Sequence, residues 1–415
     1  MFGVAILGYG VVGSGVAEAV RLNSSLICQK TGEEVRVVKI LDLLDFPDSP
    51  DAELIVHDID EILKDDKIKI VVETMGGIRA AYTFTKMALQ HQKHVVTSNK
   101  ELVAEYGSEL LKLAEDYHVR FLFEASVGGG IPIIRPIKQC LIADDIIEIL
   151  GILNGTTNYI LTYMKNAQAD FSESLKDAQL KGYAEKEPSA DVDGLDASRK
   201  IAILSMVAYG HYVDWSQIHT EGISKINQVD LAHAHNLGKV IKLIAKSRRC
   251  ENAVEAFVAP MLINKNHIFA SVDDVYNSIS VEGNIVGNVL FYGRGAGKLP
   301  TASAVVADIV DILQDQQSGK SYGWDAEKTM DIRAFEESSY QYYFRAATEQ
   351  NEQFTKIVFR EFPDATLLPQ LSGQPENSIS FTIPQMKEKF FQDKIAKVLN
   401  AVSESEISSI IRYLS

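Results

Sequence analysis

The first twenty residues restrict the possible folds more than any other part of the sequence. Phe2 to Leu7 is a short apolar run, typical of a buried parallel strand. The loop Gly8-Tyr9-Gly10-Val11-Val12-Gly13 follows, and apolar residues then recur at helical spacing. A strand, a GxGxxG loop and a helix in this order predict a dinucleotide-binding fold, with a pyrophosphate at the helix N-terminus. The alternative is a glycine-rich turn that binds no ligand.

Four further segments have the pattern of parallel strands that end in polar or glycine-rich residues: 35–42, 67–77, 93–100 and 119–132. Helical patterns separate them, and this alternation predicts a doubly wound, Rossmann-type α/β sheet. Ligands bind such sheets outside the carboxyl ends of the strands. We therefore expect the side chains of Thr74, Lys100 and Glu124 to face one crevice, and Ser98, at one of these strand ends, is a further candidate for cofactor binding.

Asp42 ends the second predicted strand, where an acid accepts hydrogen bonds from the ribose hydroxyls of NAD. The residues around it, DLLDFPDSPD, add negative charge and no arginine, which disfavours the 2′-phosphate of NADP. The alternative is that Asp42 belongs to a solvated acidic loop.

The sequence pattern divides the chain into four parts. We predict a dinucleotide-binding domain over 1–134 and an α+β catalytic and dimerisation domain over 135–313, whose last helix packs back on the first domain. Within the second domain, 230–245 has the pattern of a helix. A polar linker follows over 314–333. Residues 334–415 alternate strand, helix, strand, strand, helix, strand, which predicts a ferredoxin-like domain.

Asp196 and Lys200 are four residues apart and share one face of a predicted helix that continues as an apolar stripe. Burial favours the neutral form of a lysine, whereas a neighbouring carboxylate favours the ammonium. Such a pair suits proton exchange with a reacting oxygen. The alternative is an exposed ion pair at a helix start. One of the acids before this helix is a candidate to hold a substrate ammonium; they are Glu185, Glu187, Asp191 and Asp193.

Composition limits the partners and the compartment. The net charge of -15 disfavours nucleic acid and anionic membranes, because both attract basic surfaces. The three cysteines are far apart, which favours a reducing cytoplasm without a disulfide framework. No signal-peptide pattern and no stretch of about 18 apolar residues is present. We therefore expect a cytoplasmic protein with a small-molecule ligand.

Seven segments together resemble a homoserine dehydrogenase over essentially the full length of the chain. They are GYGVVGSGV, VETMGG, VTSNKELVA, FEASVGGGIPII, GILNGTTNYIL, GYAEKEPSADVDGLDASRKIAIL and GRGAGKLPTASAVVADI. The resemblance implies NAD- or NADP-dependent interconversion of L-homoserine and L-aspartate 4-semialdehyde, in the synthesis of threonine, methionine and isoleucine. It also implies a homodimer or a homotetramer.

The resemblance also implies roles for single residues. Lys200 matches the proton-transfer lysine, and Lys100 matches a second lysine where cofactor and substrate meet. Glu185 and Asp196 match acids that contact homoserine or orient the lysine, and Asp191 is a further candidate for the substrate site. Gly182 and Gly297 match positions that line the cofactor or substrate pocket.

A monovalent-cation site is implied by the glycine-rich loop 124–131. Glu124 and the carbonyl oxygens of Val127, Gly129 and Ile131 would hold sodium, for which hard oxygen ligands are suitable. The ion would have a structural role rather than a chemical one.

Two features depart from the family pattern. Many relatives carry basic residues after the second strand, where this chain has Asp42, so we expect NAD to be accepted. The C-terminal part resembles an ACT domain, but the usual Asp-x-Pro-Gly turn reads TEQNEQF. The glycine that lets a ligand approach the backbone is missing, which disfavours a threonine sensor and leaves an assembly element as the alternative.

Two other functions remain as alternatives. An aspartate-semialdehyde dehydrogenase requires a nucleophilic cysteine, and none of Cys28, Cys140 and Cys250 lies at a glycine-rich strand end. A non-catalytic, nucleotide-bound amino-acid sensor would not require Lys100 and Lys200.

Overall fold

The computed structural model describes residues 2–315 and 322–414. The chain divides into two compact units. The first unit comprises 1–149, 199–215 and 278–331, and the second comprises 150–198, 216–277 and 332–415. Each unit is therefore built from three separate stretches of sequence. Of the predicted linker 314–333, residues 316–321 lie outside the described residues.

Strands and helices alternate in the N-terminal part of the first unit. They are β1 (Phe2–Leu7), α1 (Val11–Thr31), β2 (Val35–Leu41), β3 (Ile55–Val56), α2 (Asp60–Leu63), β4 (Ile68–Glu73), α3 (Arg79–Gln90), β5 (His94–Thr97), α4 (Lys100–Asp116) and β6 (Phe121–Leu122). A short π-helix, Pro136–Cys140, follows.

These six strands form one sheet in the order β3-β2-β1-β4-β5-β6, and all adjacent strands are parallel. The central strand β1 is completely buried from Val4 to Leu7, as expected for a sheet that is covered by helices on both faces. The strand order reverses between β1 and β4, and such a reversal opens a crevice at the carboxyl ends of the strands. The predicted Rossmann-type sheet is thus confirmed.

The middle of the chain contains the following elements in order: β7 (Ile146–Ile152), α5 (Gly155–Ala167), α6 (Phe171–Leu180), α7 (Ser189–Val192), α8 (Leu195–Tyr209), β8 (His211–Tyr212), β9 (His219–Thr220), α9 (Gln228–Asn236), β10 (Lys239–Cys250), β11 (Ala253–Asn264), β12 (Tyr276–Gly283), β13 (Gly287–Arg294) and α10 (Lys298–Gln314). In the first unit, α10 packs on α1, where Gly15 approaches the Lys298 carbonyl so closely that an added Cβ would lie 2.7 Å from its oxygen.

The prediction of one helix over 230–245 is wrong in its second half. Helix α9 ends at Asn236, Gly238 has a left-handed φ of 70°, and β10 begins at Lys239. The strand pairs with β11 along its whole length in an antiparallel ladder. A short apolar run such as Val240–Ala245 fits a buried strand as well as a buried helix, so periodicity alone could not separate the two.

The C-terminal elements are β14 (Asp325–Thr329), β15 (Asp331–Ile332), β16 (Ser339–Thr348), α11 (Asn351–Glu361), β17 (Thr366–Leu367), β18 (Ser378–Lys387), α12 (Glu388–Ala401) and β19 (Ser405–Tyr413). From β16 onward the order is strand, helix, strand, strand, helix, strand. In the sheet of the second unit these strands lie in the order β19-β16-β18-β17, and β19 continues the sheet onto β11.

A buried arginine joins elements of the second unit. Arg412 of β19 is 2% exposed and donates to both carboxylate oxygens of Glu388 in α12, at 2.7 and 2.8 Å, and to Glu221 at 2.8 Å. The charges are therefore paired as burial requires. None of the helices in the described ranges combines the length and the apolar character that a bilayer crossing needs.

Candidate active site

The loop between β1 and α1 has the geometry of a pyrophosphate site. Gly8 has a left-handed φ of 91°, and a Cβ on Gly13 would lie 1.9 Å from the Gly8 carbonyl oxygen, so both positions require glycine. A Cβ on Gly10 would meet nothing within 4 Å, so this side of the loop is open. Helix α1 starts immediately afterwards at Val11. The first N–H groups of a helix have no carbonyl partner within it and attract an anion.

Thr74, at the end of β4, fixes the loop from the neighbouring strand. Its hydroxyl lies 3.0 Å from the Leu7 carbonyl oxygen and 2.9 Å from that of Gly8. The predicted role of Thr74 at the cofactor edge therefore has a structural basis, because its side chain orients the loop backbone.

Asp42 is attached to the same loop. One carboxylate oxygen accepts the Tyr9 backbone N–H at 2.7 Å, and the other accepts that of Leu44 at 3.1 Å. The Tyr9 hydroxyl donates to Asp51 at 2.6 Å, and Arg21 of α1 pairs with Asp51 at 2.6 Å. The acidic loop after β2 is thus folded onto the start of α1 and is not simply solvated.

A buried carboxylate connects the ends of β4 and β5. Glu73 is fully buried and accepts the Thr97 hydroxyl and the Met75 backbone N–H, the latter at 2.8 Å. Burial raises the pKa of Glu73 to about 7. Asn99 donates to the Gly77 carbonyl at 2.9 Å and caps α4 by accepting the Leu102 N–H at 3.1 Å. These bonds hold the strand ends that carry the predicted cofactor residues Ser98 and Lys100.

An ion pair joins the helices that carry the two predicted lysines. Lys100 begins α4 and is followed by Glu101, whereas Lys200 lies in α8 and is preceded by Arg199. A guanidinium nitrogen of Arg199 lies 3.2 Å from a carboxylate oxygen of Glu101. The first unit thus brings Lys100 and Lys200 onto neighbouring helix starts.

Asp196 and Lys200 are both buried, 2% and 9% exposed respectively. The alternative interpretation, an exposed ion pair at the start of the helix, therefore does not apply, because both side chains are buried. A buried amine and a buried carboxylate on one helix face fit proton exchange.

Asn154 gathers two of the predicted acids in the second unit. It caps α5 by accepting the Thr157 N–H at 2.8 Å, and its amide donates to Asp191 at 2.7 Å and to Asp196 at 2.8 Å. Two carboxylates on one amide group create a concentrated negative charge, which suits a substrate ammonium.

Two other predicted substrate residues lie in the exposed loop between α6 and α7. Gly182 has a left-handed φ of 73° and open space where a side chain would lie. Glu185 is exposed, and its backbone carbonyl accepts the Gln179 side-chain amide at 3.0 Å. The loop is connected to α5, since the Thr156 hydroxyl donates to the Tyr183 carbonyl at 2.6 Å.

The predicted cation loop 124–131 is closely packed. Both carboxylate oxygens of Glu124 accept backbone N–H groups, from Ile133, Ile134 and Arg135, at 2.6–2.9 Å. The carboxylate is therefore held by three backbone N–H groups, and the backbone carbonyls of the loop are the other candidate ligands for a cation. Within the described ranges, no cluster of three His, Cys, Asp or Glu side chains is arranged to hold a metal.

Gly129 connects this loop to the start of α10. A Cβ on Gly129 would lie 2.4 Å from the Gly295 carbonyl oxygen, and the Gly130 N–H donates to the Arg294 carbonyl at 3.1 Å. Gly297, predicted to line the pocket, has a φ of 126° and immediately precedes α10. Val127 and Ile131 are buried in the same loop.

Sequence reasoning missed several residues that organise these groups. Asn154 and Glu73 were not among the residues that the sequence analysis singled out. The pairing of Arg199 with Glu101 joins residues almost a hundred positions apart, and no local pattern encodes it. The available sequence signal was that residues of opposite charge, Glu101 and Arg199, stand beside the two candidate lysines.

Comparison with known proteins identifies the relatives of this chain. The family model described as "Homoserine dehydrogenase, NAD binding domain" matches residues 8–124, and that described as "Homoserine dehydrogenase" matches 132–310. A homoserine dehydrogenase from Synechocystis is 46% identical over 316 residues, which cover 75% of this chain and 73% of the relative.

Solved structures agree. A homoserine dehydrogenase from Thiobacillus denitrificans has a TM-score of 0.90 at 35% identity and covers 100% of this chain and 98% of its own. A hyperthermophilic archaeal homoserine dehydrogenase in complex with NADPH has a TM-score of 0.64 at 27% identity, over 75% of this chain and 97% of its own.

The parallel sheet, the glycine loop and the matched NAD-binding model define a nicotinamide-dependent oxidoreductase that acts on a small molecule. Its two matched models and its relatives specify the family more closely. The chain belongs to the homoserine dehydrogenase family and has its dehydrogenase function. This decides against an aspartate-semialdehyde dehydrogenase and against a non-catalytic sensor.

The replacement Glu73→Gln is expected to flatten the pH dependence of stability. The pKa of Glu73 in the folded protein is raised from 4.5 to about 7. Its contribution to the free energy of unfolding is therefore fully present below pH 4.5 and is lost as the pH rises through about 7. A shift of this size corresponds to roughly 3 kcal/mol. Urea unfolding at about pH 5 and about pH 8 should show a smaller loss of stability in the variant. The exposed Glu187→Gln is the control, and equal losses in Glu73→Gln and wild type would contradict this role.

Proposed function

We propose that Lys200 exchanges a proton with the terminal oxygen of the substrate, L-homoserine or L-aspartate 4-semialdehyde. Its burial supports this role, because a side chain held out of bulk water keeps a fixed position for proton exchange. Lys100 acts as a cation that polarises the aldehyde oxygen. The observation that carries the proposal is the Arg199–Glu101 ion pair, which joins the helices of the two lysines.

The acids of the second unit bind the substrate amine. Asp191 and Asp196 share the Asn154 amide, so their charges act together on an ammonium group. Asp196 also orients the Lys200 side chain from one helical turn away, and Glu185 and Gly182 complete the loop around the substrate.

A nicotinamide cofactor supplies or accepts the hydride when it is bound. The loop Gly8–Gly13 holds its pyrophosphate at the start of α1, and Thr74 fixes that loop through two carbonyl contacts. Ser98, Lys100 and Gly297 belong to the same binding surface. The chemistry of these donors fits the cofactor, because glycine backbone N–H groups bind phosphate without a side chain in the way.

The cofactor is NAD in preference to NADP. Asp42 is held beside Tyr9 and would bond ribose hydroxyls, whereas it would repel a 2′-phosphate. Arg21, a basic side chain near this loop, is paired with Asp51. The archaeal relative was solved in complex with NADPH, so the phosphorylated cofactor binds to that protein.

A sodium ion binds the backbone carbonyls of loop 124–131 and holds its conformation. The left-handed Gly128 and Gly129 support this role, because such a turn can direct carbonyl oxygens to one point. Unfolding in sodium and in tetramethylammonium salts of equal ionic strength tests it, and identical midpoints would count against a sodium site.

The chain forms a homodimer or a homotetramer through its middle domain. Strand β13 is the last strand of its sheet, and its exposed positions include Leu290 and Tyr292. A strand at the end of a sheet with apolar side chains at exposed positions favours pairing with a second copy. Light scattering measures the molar mass in solution, and Tyr292→Glu should lower it toward that of a monomer. A monomeric wild type would exclude the proposed assembly.

The reaction serves threonine, methionine and isoleucine synthesis in the cytoplasm, where sparse cysteines stay reduced. The ACT-like segment 334–415 is an assembly element. Gln350, at the turn after β16, has a φ of -113° and not the left-handed value that glycine adopts. Glu349, Glu404 and Glu406 surround this strand end and repel the carboxylate of an amino acid.

Lys200→Ala should lower kcat by about two to four decades, because the proton exchange loses its acid and base. The KM for the cofactor should remain nearly unchanged. Absorbance at 340 nm with homoserine measures both, and Lys112→Ala, an exposed lysine of α4, is the control. Turnover at the wild-type level would remove Lys200 from the mechanism.

Comparison of kcat/KM for the two cofactors tests the Asp42 assignment. Wild type should favour NAD, and Asp42→Asn should lose about tenfold with NAD while NADP improves, because one repulsive charge is removed. Asp45→Asn, in the exposed part of the same loop, is the control. A hundredfold NADP preference of the wild type would disprove the proposal.

L-Threonine should neither release heat in isothermal titration nor inhibit the reaction, because the turn after β16 lacks a glycine. L-Homoserine, titrated under the same conditions with cofactor, provides a positive control. Saturable heat with threonine together with inhibition would make the segment a sensor.

A further inference from the structure

Four residues of the first unit form a brace between α8 and the first two turns of α4. Arg199 of α8 pairs with Glu101 of α4 at 3.2 Å. The Arg199 guanidinium also lies over the ring of Trp215, 4.6 Å from its centroid. The Trp215 indole N–H donates to Glu105 of α4 at 3.2 Å. Because Glu105 is one turn after Glu101, the contacts close a ring from α4 to α8 and back.

The brace is sufficiently shielded to hold a fixed geometry. The Arg199 side chain is 16% exposed and that of Glu101 38%, so solvent screens the pair only in part. The guanidinium contacts both a carboxylate and an indole ring and thus has an ionic and a cation–π partner. Arg199 thus has far less freedom than a surface arginine.

The members of the brace are sequence neighbours of the two lysines. Glu101 follows Lys100, and Arg199 precedes Lys200, and consecutive Cα atoms are about 3.8 Å apart. Asn99, which caps α4, fixes the other side of Lys100. A contact between Glu101 and Arg199 therefore sets the distance between the backbones that carry the two amines.

We propose that Arg199 and Glu101, supported by Trp215, are positioning residues that keep Lys200 and Lys100 at the separation needed for proton exchange with the substrate oxygen. This rests on the proposed function of the two lysines. The brace does not contact the reacting atoms, and its effect on the reaction arises through backbone placement. A misplacement of about 1 Å can cost a hundredfold in rate.

Glu101→Gln is the principal test, because it keeps the shape and removes the charge at a half-exposed position. Its kcat should fall by about tenfold to a hundredfold, with the cofactor KM within about twofold of wild type. The solvent isotope effect on kcat should increase, because proton exchange becomes slower relative to the other steps. Glu101→Asp should recover part of the rate.

Arg199→Met and the double variant complete a cycle. If the two residues act through one contact, the double variant loses no more activity than the worse single variant. Losses that multiply would overturn the brace. If Arg199→Met fails to fold, Glu101→Gln alone decides the question.

Glu109→Gln is the matched control on the same helix, since it breaks the ion pair of Glu109 with Lys86 of α3, at 2.8 Å, and does not touch α8. It should leave kcat and the isotope effect unchanged. Wild-type kcat and isotope effect in Glu101→Gln would overturn the brace. Lys200→Ala separates the two ideas: if it loses activity while Glu101→Gln does not, only the brace fails, and if it keeps activity, the proposed function fails.

Discussion

Hydrogen bonds from backbone N–H groups to carboxylates fix the loops at the carboxyl ends of the parallel strands, where the cofactor is expected to bind. Asp42 follows β2 and binds the N–H of Tyr9, and Glu73 ends β4 and binds that of Met75. Glu124 follows β6 and accepts three successive backbone N–H groups. Hydrogen bonds to these acceptors are roughly twice as strong when the carboxyl is ionised as when it is neutral. Each loop that must leave the sheet and return in a fixed shape is thus held by an acid.

Burial changes the acidity of the carboxyls in this region. Glu73 is fully buried and its pKa is raised to about 7, and the same holds for Asp308 in α10, which pairs with Arg135 and receives the Glu124 N–H. Such carboxyls cost stability when they are charged without sufficient partners. The buried carboxyls that fix the loops after the strands therefore lower the stability of the fold. Burial of the large apolar cores of the two units offsets this loss.

The sequence by itself determined the Rossmann-type sheet and the glycine loop, because strand, GxGxxG and helix are local patterns with steric reasons. The family followed from the seven segments that resemble homoserine dehydrogenases. The sequence also predicted Lys200 as a candidate, since a lysine at the start of an apolar stripe is unusual, and the structure shows that this lysine is buried. It could not separate the helix α9 from the strand β10, because a short apolar run satisfies both periods. Only the tertiary structure decided that Asn154 bridges two acids, that Glu124 has its carboxylate engaged and that Arg199 meets Glu101. These contacts join positions about ten to a hundred residues apart, and distances of that kind are set by packing of the whole unit, not by neighbours in the chain.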